Sequence, residues 1–397
     1  MKWAKVEGKM MKRYLATALA LWCLGGVPVF ALDATPVAAP VTEVLAKDLQ
    51  EEIVRILATV KDLYGREATK AVPITIYRPT GVGPFPLVVF NHGRSVAEKR
   101  AQQGRSRPET VARYLAAKGF VVMAPTRIGY GETYGDFDPE NSACRNIEPM
   151  SIAASQQVLA TVEFAKTLPY VDATRWLVAG QSVGGLTSVA TVGRAPEGLL
   201  GGINFSGGTG GNPDVNPGRP CNPAATTRYW GDIAKNAKVP MLWMYWQNDK
   251  YWGPDIPKDW HQAWTRGGGQ AQFTSFGPSG ENGHNGLNED MDHWLPVVDR
   301  FLQDLGFERP AIVTAPPPSG FADIADASRV QVSSAGKAAY AKFLEMAPPK
   351  AFAITTRGGF GLARGDYAPG RALGNCQRTN GNTCVLYAVN DDVVWKP

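Results

Sequence analysis

A serine flanked by glycines stands between an apolar run and a helix-like stretch in residues 176–185, where the chain reads Gly180-x-Ser182-x-Gly184. A serine on a sharp strand-to-helix turn projects clear of the backbone, and small neighbours let the following helix pack close to the strand. With 43 glycines in 397 residues, the bare pattern is weak evidence. The strand–turn–helix context is more specific, and it predicts a sheet with helices packed against it.

The first 31 residues differ from the rest of the chain. Cations at positions 2–13 precede an apolar run over 14–30, and Val29-Phe30-Ala31 has the small-residue spacing that signal peptidase requires. Because the run is short, it predicts a secretory signal peptide over residues 1–31 and not a membrane span. Five cations and one anion lie there, so its removal lowers the formal net charge from +5 to about +1. We therefore expect no nucleic acid or anionic membrane as a partner.

Four cysteines follow the predicted signal peptide, and an even number in an exported chain favours disulfides over buried free thiols. Cys376 and Cys384 are close in sequence and flank the turn-forming residues 380–382, so we expect them to pair. That pairing leaves Cys144 with Cys221. The spacing of these residues does not fit a zinc site, and we expect neither a metal nor an organic cofactor.

Residues 70–310 alternate short apolar runs with longer helical patterns. The runs predict strands at 74–78, 87–91, 120–124, 176–179, 202–205, 241–245 and 271–276. The helical patterns cover 108–118, 151–167, 185–192, 256–266 and 290–305. Continuous apolar strands are typical of sheets covered on both faces. The alternation therefore predicts an α/β domain with a doubly wound, mostly parallel sheet and helices on both faces.

Shorter segments lie on either side of this domain. Residues 32–69 are predicted to be an N-terminal helical segment, with an amphipathic helix over 40–64. Residues 311–320 are a Pro-rich linker. Residues 321–397 are predicted to form a small C-terminal α+β unit, with a helix over 336–346 and strands over 351–355 and 384–395.

A serine that takes part in acyl transfer needs a base, and the base needs an acid to orient it. In an open α/β sheet these groups lie at the carboxyl ends of strands. Asp249 comes shortly after the strand at 241–245, and His284 lies in a glycine-flanked loop after the strand at 271–276. The order Ser182, Asp249, His284 is the order of the triad in one hydrolase architecture.

Further residues are expected around this triad. The oxyanion would be held by the backbone N–H of Val183 and by one N–H of the loop after residue 91, at Gly93 or Arg94. His92 is expected to shape that loop or to hydrogen-bond locally, and it is also a candidate substrate-binding residue. Trp246 and Trp252 lie close to Asp249 in sequence and are candidates for an aromatic wall against the substrate, with core packing as the alternative.

Each choice has an alternative reading. Ser182 is also a favourable helix N-cap. Asp255 and Asp259 are other candidate acids, although each lies near a helix start where a carboxylate has a capping role. His293 is the other candidate base, and its helical pattern favours a surface or packing role.

The segments 88–93, 180–185, 243–249 and 283–285, in that order, resemble an α/β-hydrolase, and in particular exported bacterial proteins of the dienelactone hydrolase type. The resemblance covers about residues 60–310. Dienelactone hydrolases proper use a cysteine nucleophile, whereas this chain has Ser182, which favours ordinary ester hydrolysis. The C-terminal unit resembles an appendage seen behind such domains.

The resemblance implies an exported serine hydrolase that cleaves a small-molecule carboxylic ester through an acyl-enzyme. A serine peptidase of the prolyl-oligopeptidase type is one alternative, but such enzymes usually carry a large N-terminal gating domain, and only about 40 residues precede the predicted sheet here. A non-catalytic binding protein on the same fold is the other. The sequence does not define an oligomeric state.

Overall fold

The computed structural model describes residues 45–142, 144–307, 316–365, 367–380 and 384–397. The predicted signal peptide over 1–31 lies outside these ranges, as do residues 40–44 of the predicted N-terminal helix and 311–315 of the predicted linker. None of the helices in the described part of the chain is both long enough and apolar enough to span a membrane.

The strands are β1 Glu52–Lys61, β2 Glu67–Tyr77, β3 Phe85–Asn91, β4 Val121–Pro125, β5 Val171–Gln181, β6 Leu199–Phe205, β7 Met241–Trp246, β8 Ala271–Phe276, β9 Lys350–Thr355, β10 Phe360–Arg364, β11 Cys384–Val389 and β12 Asp392–Val393. The helices are α1 Ala97–Arg100, α2 Glu109–Ala117, α3 Glu148–Ala165, α4 Val183–Val192, α5 Pro223–Ala234, α6 Ile256–Arg266, α7 Gly286–Glu289, α8 Met291–Asp304, α9 Ser334–Glu345 and α10 Ala368–Asn380. Short 3-10 turns lie at Lys47–Leu49, Gly131–Thr133, Gly283–Asn285 and Ala327–Arg329.

The large sheet has the order β1-β2-β4-β3-β5-β6-β7-β8. The β1–β2 and β2–β4 pairs are antiparallel, and every pair from β4 through β3 to β8 is parallel. Residues of α3, α4, α5 and α6 belong to the apolar core on one face, and residues of α2 and α8 to the core on the other. Since both faces are covered, a central strand such as β7 is buried along its whole length. The predicted fold class is confirmed.

The predicted N-terminal helix is wrong for the residues that the structure describes. Apart from the 3-10 turn at Lys47–Leu49, residues 45–69 lie mainly in β1 and the start of β2, which form an antiparallel hairpin at the sheet edge. Ile56, Ala58 and Val60 are buried while Leu57 and Thr59 are exposed, which is the period of two that a half-buried strand requires. The sheet therefore starts at Glu52 and not near residue 70.

The C-terminal unit is a second, antiparallel sheet in the order β10-β9-β11-β12. Tyr340 and Phe343 of α9 pack on one face, and Ala372 and Cys376 of α10 pack on the other. The sequence interpretation missed β10 and α10, and it joined β11 and β12 into one strand. They are separate because Asn390 turns the chain with a φ of 52°.

Two disulfides are present, and both have the pairing expected from the sequence. Cys376–Cys384 links α10 to the start of β11. Cys144–Cys221 links the loop before α3 to the loop before α5. The first bridge therefore holds α10 to its own sheet, and the second holds two loops together.

A buried carboxylate joins the sheet edge to the loop before α2. Glu51 is 6 % exposed and accepts hydrogen bonds from the backbone N–H of Ala46 at 2.6 Å, from Arg105 at 2.6 Å and from Arg107 at 2.6 and 2.9 Å. Burial alone would raise the pKa of Glu51, but the hydrogen bonds from Arg107, Ala46 and Arg105 outweigh burial and lower it. The ionised carboxylate thus stabilises the fold.

We expect Glu51→Gln to lower the free energy of unfolding by about 3–5 kcal/mol at pH 7, because two arginines would lose the anion they share. Because the folded-state pKa of Glu51 lies below the unfolded one, the stabilisation is complete above about pH 5 and is lost as the pH falls through the folded-state value. Urea unfolding at several pH values measures it. The matched variant Glu67→Gln removes only an exposed pair with Lys61, so we expect a change below about 1 kcal/mol. Equal effects of the two substitutions would contradict the assignment.

Candidate active site

Ser182 occupies a strained turn between β5 and α4, termed the Ser182 elbow. Its φ is +59° and its ψ is −124°, and its N–H donates to the Phe205 carbonyl at 3.0 Å. A Cβ atom at Gly184 would overlap the Asn91 carbonyl, and one at Gly180 would lie 2.8 Å from the same oxygen. The two glycines therefore allow the backbones of β5, α4 and the end of β3 to approach each other. The serine side chain is presented at the carboxyl edge of the sheet.

Asp249 and His284 form a hydrogen-bonded pair. The Asp249 carboxylate is 2 % exposed, and its Oδ2 lies 2.9 Å from Nδ1 of His284, which is 6 % exposed. Its Oδ1 accepts from the backbone N–H of Tyr251 at 2.7 Å and of Trp252 at 3.3 Å. Because a carboxylate only accepts, Nδ1 carries the proton, and Nε2 of a neutral ring is left as a proton acceptor.

Two side chains connect the histidine loop to the other parts of the site. Gln181, next to Ser182, donates its amide to the His284 carbonyl at 2.6 Å. Asn282 Oδ1 accepts from the backbone N–H of His284 at 3.1 Å and of Lys250 at 2.9 Å. These contacts connect the Ser182 elbow to the loop of His284, and the loop of His284 to the loop of Asp249 and Lys250. The sequence interpretation missed both residues, although an asparagine two positions before His284 is a signal for an Asx turn.

The ring of Tyr251, a residue that no sequence pattern indicated, stacks on His284. The Tyr251 and His284 ring centroids are 4.0 Å apart, with 27° between their planes. Tyr251 follows Asp249 by two residues, and the same backbone N–H that holds Asp249 fixes its position. Asp249 and Tyr251 therefore restrict the imidazole in two directions, along its edge and over its face.

The loop after β3 contacts Ser182 at Gly93. A Cβ atom at Gly93 would lie 3.1 Å from Cβ and 3.7 Å from Oγ of Ser182. Val183 lies on the other side of Ser182 as the first residue of α4, where a backbone N–H has no acceptor within its own helix. Gly93, Arg94 and Val183, the predicted oxyanion donors, thus lie on the two chain segments that flank the serine.

His92 is held as a neutral ring that supports this loop. Its Nε2 accepts from the Arg127 backbone N–H at 3.1 Å, so Nδ1 carries the proton and donates to the Gly93 carbonyl at 2.7 Å. Burial, with a further contribution from the Arg127 cation, lowers its pKa well below the ordinary value. This arrangement agrees with the predicted role of His92 in shaping the loop.

The side chain of Arg94 is fixed by acidic partners. Its guanidinium binds both oxygens of Asp138, at 3.1 and 2.5 Å, and Arg100 binds the same carboxylate at 3.0 Å. Burial alone would raise the pKa of Asp138, but Arg94 and Arg100 outweigh burial and keep it below its usual range. Glu140, paired with Arg127 at 2.5 Å, extends the cluster. The Arg94 side chain is therefore anchored to the segment that carries Asp138 and Glu140.

The aromatic wall expected from Trp246 and Trp252 is wrong. Both side chains are 1 % exposed. The Trp246 indole donates to Asp290 at 2.6 Å, and the Trp252 indole donates to the Ser206 carbonyl at 2.7 Å. Since the rings are buried and their N–H groups are satisfied, both residues pack beneath the site and do not meet a substrate.

The alternative acid and base lie elsewhere. Asp255 forms an exposed pair with Lys258 at 2.9 Å, and exposed His293 pairs with Asp290. Among the residues that the structure describes, no three His, Cys, Asp or Glu side chains come together as metal ligands. Asp249 and His284 are the acid and base candidates that the fold brings together.

No protein-family model and no curated protein matches the chain. Solved structures that it resembles include a protein described as a dienelactone hydrolase from Klebsiella pneumoniae, with 17 % identity over 64 % of this chain and 98 % of that one and a TM-score of 0.41. An esterase from Pyrococcus furiosus has 14 % identity over 66 % and 93 % of the two chains, with a TM-score of 0.46. An acylaminoacyl peptidase from Pyrococcus horikoshii has 16 % identity over 67 % and 43 %, with a TM-score of 0.44.

Because a side chain at Gly184 would overlap the Asn91 carbonyl, we expect Gly184→Ala to lower the free energy of unfolding by about 1–3 kcal/mol or more. Denaturant unfolding measures the change. Gly277→Ala is the matched control, since a Cβ atom there meets nothing within 4 Å. Equal stability of the two variants would contradict the close approach of Gly184 to the Asn91 carbonyl.

Proposed function

We propose that the protein is a serine hydrolase that cleaves carboxylic esters through an acyl-enzyme. The observation that carries the proposal is the hydrogen bond between Asp249 and His284, on a loop that Gln181 ties to the Ser182 elbow. Such an arrangement supplies the nucleophile, the base and the group that orients the base. The names of the similar structures, which include esterases and peptidases, are consistent with a hydrolase.

In the proposed reaction, Ser182 Oγ attacks the acyl carbon and His284 Nε2 takes its proton. The C–O bond to the alcohol then breaks, and His284 returns the proton to the leaving oxygen. A water molecule attacks the acyl-enzyme in the same way and releases the acid. Asp249 keeps the proton on Nδ1 and stabilises the imidazolium that forms in each half of the reaction.

The negative oxygen of each tetrahedral intermediate would be held by backbone N–H groups of Val183 and of the Gly93–Arg94 segment. Donors that are fixed before the reaction stabilise developing charge without a further cost of reorganisation. His92 supports this segment from the Gly93 carbonyl, and Asp138 supports it through the Arg94 guanidinium. Neither side chain transfers a proton in this scheme.

We further propose that the protein acts after export. The cation-rich start and the apolar run over 14–30 are typical of a secretory signal. The two disulfides are stable in an oxidising compartment, whereas thiols are kept reduced in the cytosol. A periplasmic or extracellular location fits both observations.

Replacing the nucleophile tests the reaction directly. We expect Ser182→Ala to lower kcat for a nitrophenyl acetate by at least about 10³-fold and to abolish labelling by a fluorophosphonate probe, since the alanine cannot be acylated. Ser275→Ala, at an exposed position of β8, should leave both readouts unchanged. An activity of Ser182→Ala within tenfold of the parent would exclude the assignment. Faster cleavage of a peptide nitroanilide than of the ester would identify a peptidase.

The two candidate acids are distinguished by a pair of amide substitutions. We expect Asp249→Asn to lower kcat by about 10³–10⁴-fold, because an amide donates towards the ring and favours the wrong histidine tautomer. Asp255→Asn breaks only the exposed pair with Lys258 and should keep the parental kcat. Steady-state ester hydrolysis by the two variants provides the measurement. If Asp255→Asn lowers kcat and Asp249→Asn does not, Asp255 and not Asp249 is the acid that orients the histidine.

A further inference from the structure

A cavity of about 420 Å³ opens beside the Ser182 elbow. Its walls come from the oxyanion-loop residues His92 and Gly93, from Gln181, and from the segment that leads into α2. Leu287 and Asn288 of α7 form another part. The remaining wall belongs to the C-terminal unit, through Gly374 and Gln377 of α10.

Three of the walls belong to segments that carry the proposed chemistry. A Cβ atom at Gly93 would lie 3.1 Å from Cβ of Ser182, and Gln181 directly precedes Ser182. Leu287 and Asn288 follow His284 within one helical turn of the chain. In the proposed reaction His284 returns a proton to the leaving oxygen, so the alcohol part of the ester lies on the histidine side of Ser182. The lining of the cavity contains neither Ser182 nor His284, but it contains Gln181 next to Ser182 and Leu287 and Asn288 shortly after His284.

The C-terminal wall is held firmly against the hydrolase part. A Cβ atom at Gly374 would lie 2.5 Å from Oγ1 of Thr110. The backbone of α10 therefore packs directly against the Thr110 side chain of α2. Gln377 Oε1 accepts from Arg113 at 3.0 Å, and Tyr367 donates to the Arg113 carbonyl at 2.6 Å. The Cys376–Cys384 disulfide fixes α10 to its own sheet next to Gln377. The hydrogen bond from Arg113 of α2 and the disulfide to β11 therefore fix the position of Gln377.

The walls of the cavity are mixed: apolar side chains of Phe90, Pro108, Val111 and Leu287 stand beside polar ones, and a neutral group with both polar and apolar faces fits them. The charged side chains are already paired, since Glu109 binds Arg113 at 2.7 Å and Arg107 binds Glu51 at 2.6 Å. The amides of Asn288 and Gln377 add uncharged donors and acceptors. An alkyl chain would remove these polar groups from water without replacing their hydrogen bonds, which is unfavourable. A hydroxyl-rich group would replace them.

We propose that this cavity binds the alcohol part of the ester, that the alcohol is a neutral polyhydroxy compound of sugar size, and that Gln377 makes the C-terminal unit a specificity element. The inference rests on the proposed esterase function. It assigns Gln377 of α10 a part in substrate selection.

The test compares two acetate esters that differ in their hydroxyl groups. Glucose 6-acetate and cyclohexylmethyl acetate share the acyl group and a six-membered ring. We expect the full chain to have a kcat/KM at least about tenfold higher for the glucose ester. Gln377→Leu and, independently, Asn288→Leu should each lower the ratio of the two kcat/KM values by about 5- to 30-fold, as the loss of one or two hydrogen bonds predicts. Asn288 is exposed, so that variant tests the idea without disturbing the α10 packing.

Gln303→Leu is the matched control, because Gln303 is exposed on α8 and does not line the cavity. It should keep the parental ratio. The inference is overturned if the parent prefers the cyclohexylmethyl ester, or if both cavity variants keep the parental ratio. In either case, continued labelling of Ser182 by fluorophosphonate would leave the esterase proposal standing. An absence of labelling and of hydrolysis of both esters would overturn the esterase proposal itself.

Discussion

The contact between the Asn91 backbone and the glycines around Ser182 determines the geometry of the site. Ser182 has a positive φ that is unfavourable for an L-residue, and only the surrounding packing maintains it. The same approach of β3 to β5 places Gly93 beside the serine side chain. One close backbone contact therefore orients Ser182 and also positions the loop on which the oxyanion donors are proposed.

Much of the fold could be predicted from the sequence where local signals agree with tertiary packing. The bounds of β8 and α6 agree with the predicted 271–276 and 256–266, because each has a clear pattern and Gly or Pro at its borders. The hairpin strand β1 was misjudged because Leu57, an exposed apolar residue, blurs the alternation. Helix α10 was missed because its glycines, proline and asparagines have low helix propensity, and packing on β9, β10 and α2 compensates.

The functional residues could likewise be predicted only where the sequence pattern indicates them. The closeness of Asp249 and His284 could be predicted because strand ends in a parallel sheet meet at one edge. The role of Ser182 beside them stays a prediction. The supporting residues were less accessible to such reasoning. Gln181 reaches a carbonyl 103 positions along the chain, and no local pattern encodes that distance. The tryptophans illustrate the converse error, since closeness in sequence to Asp249 did not indicate on which side of the chain each indole lies.

The contact between α10 and α2 joins residues that are far apart in the chain. Arg113 and Gln377, which form a hydrogen bond, are separated by 264 positions. Such a contact closes a long loop, and its formation therefore costs more chain entropy than a local contact does. The cavity beside Ser182 is therefore complete only when α10 is packed on α2, so a chain with an intact large sheet and an unpacked C-terminal unit would have an open cavity.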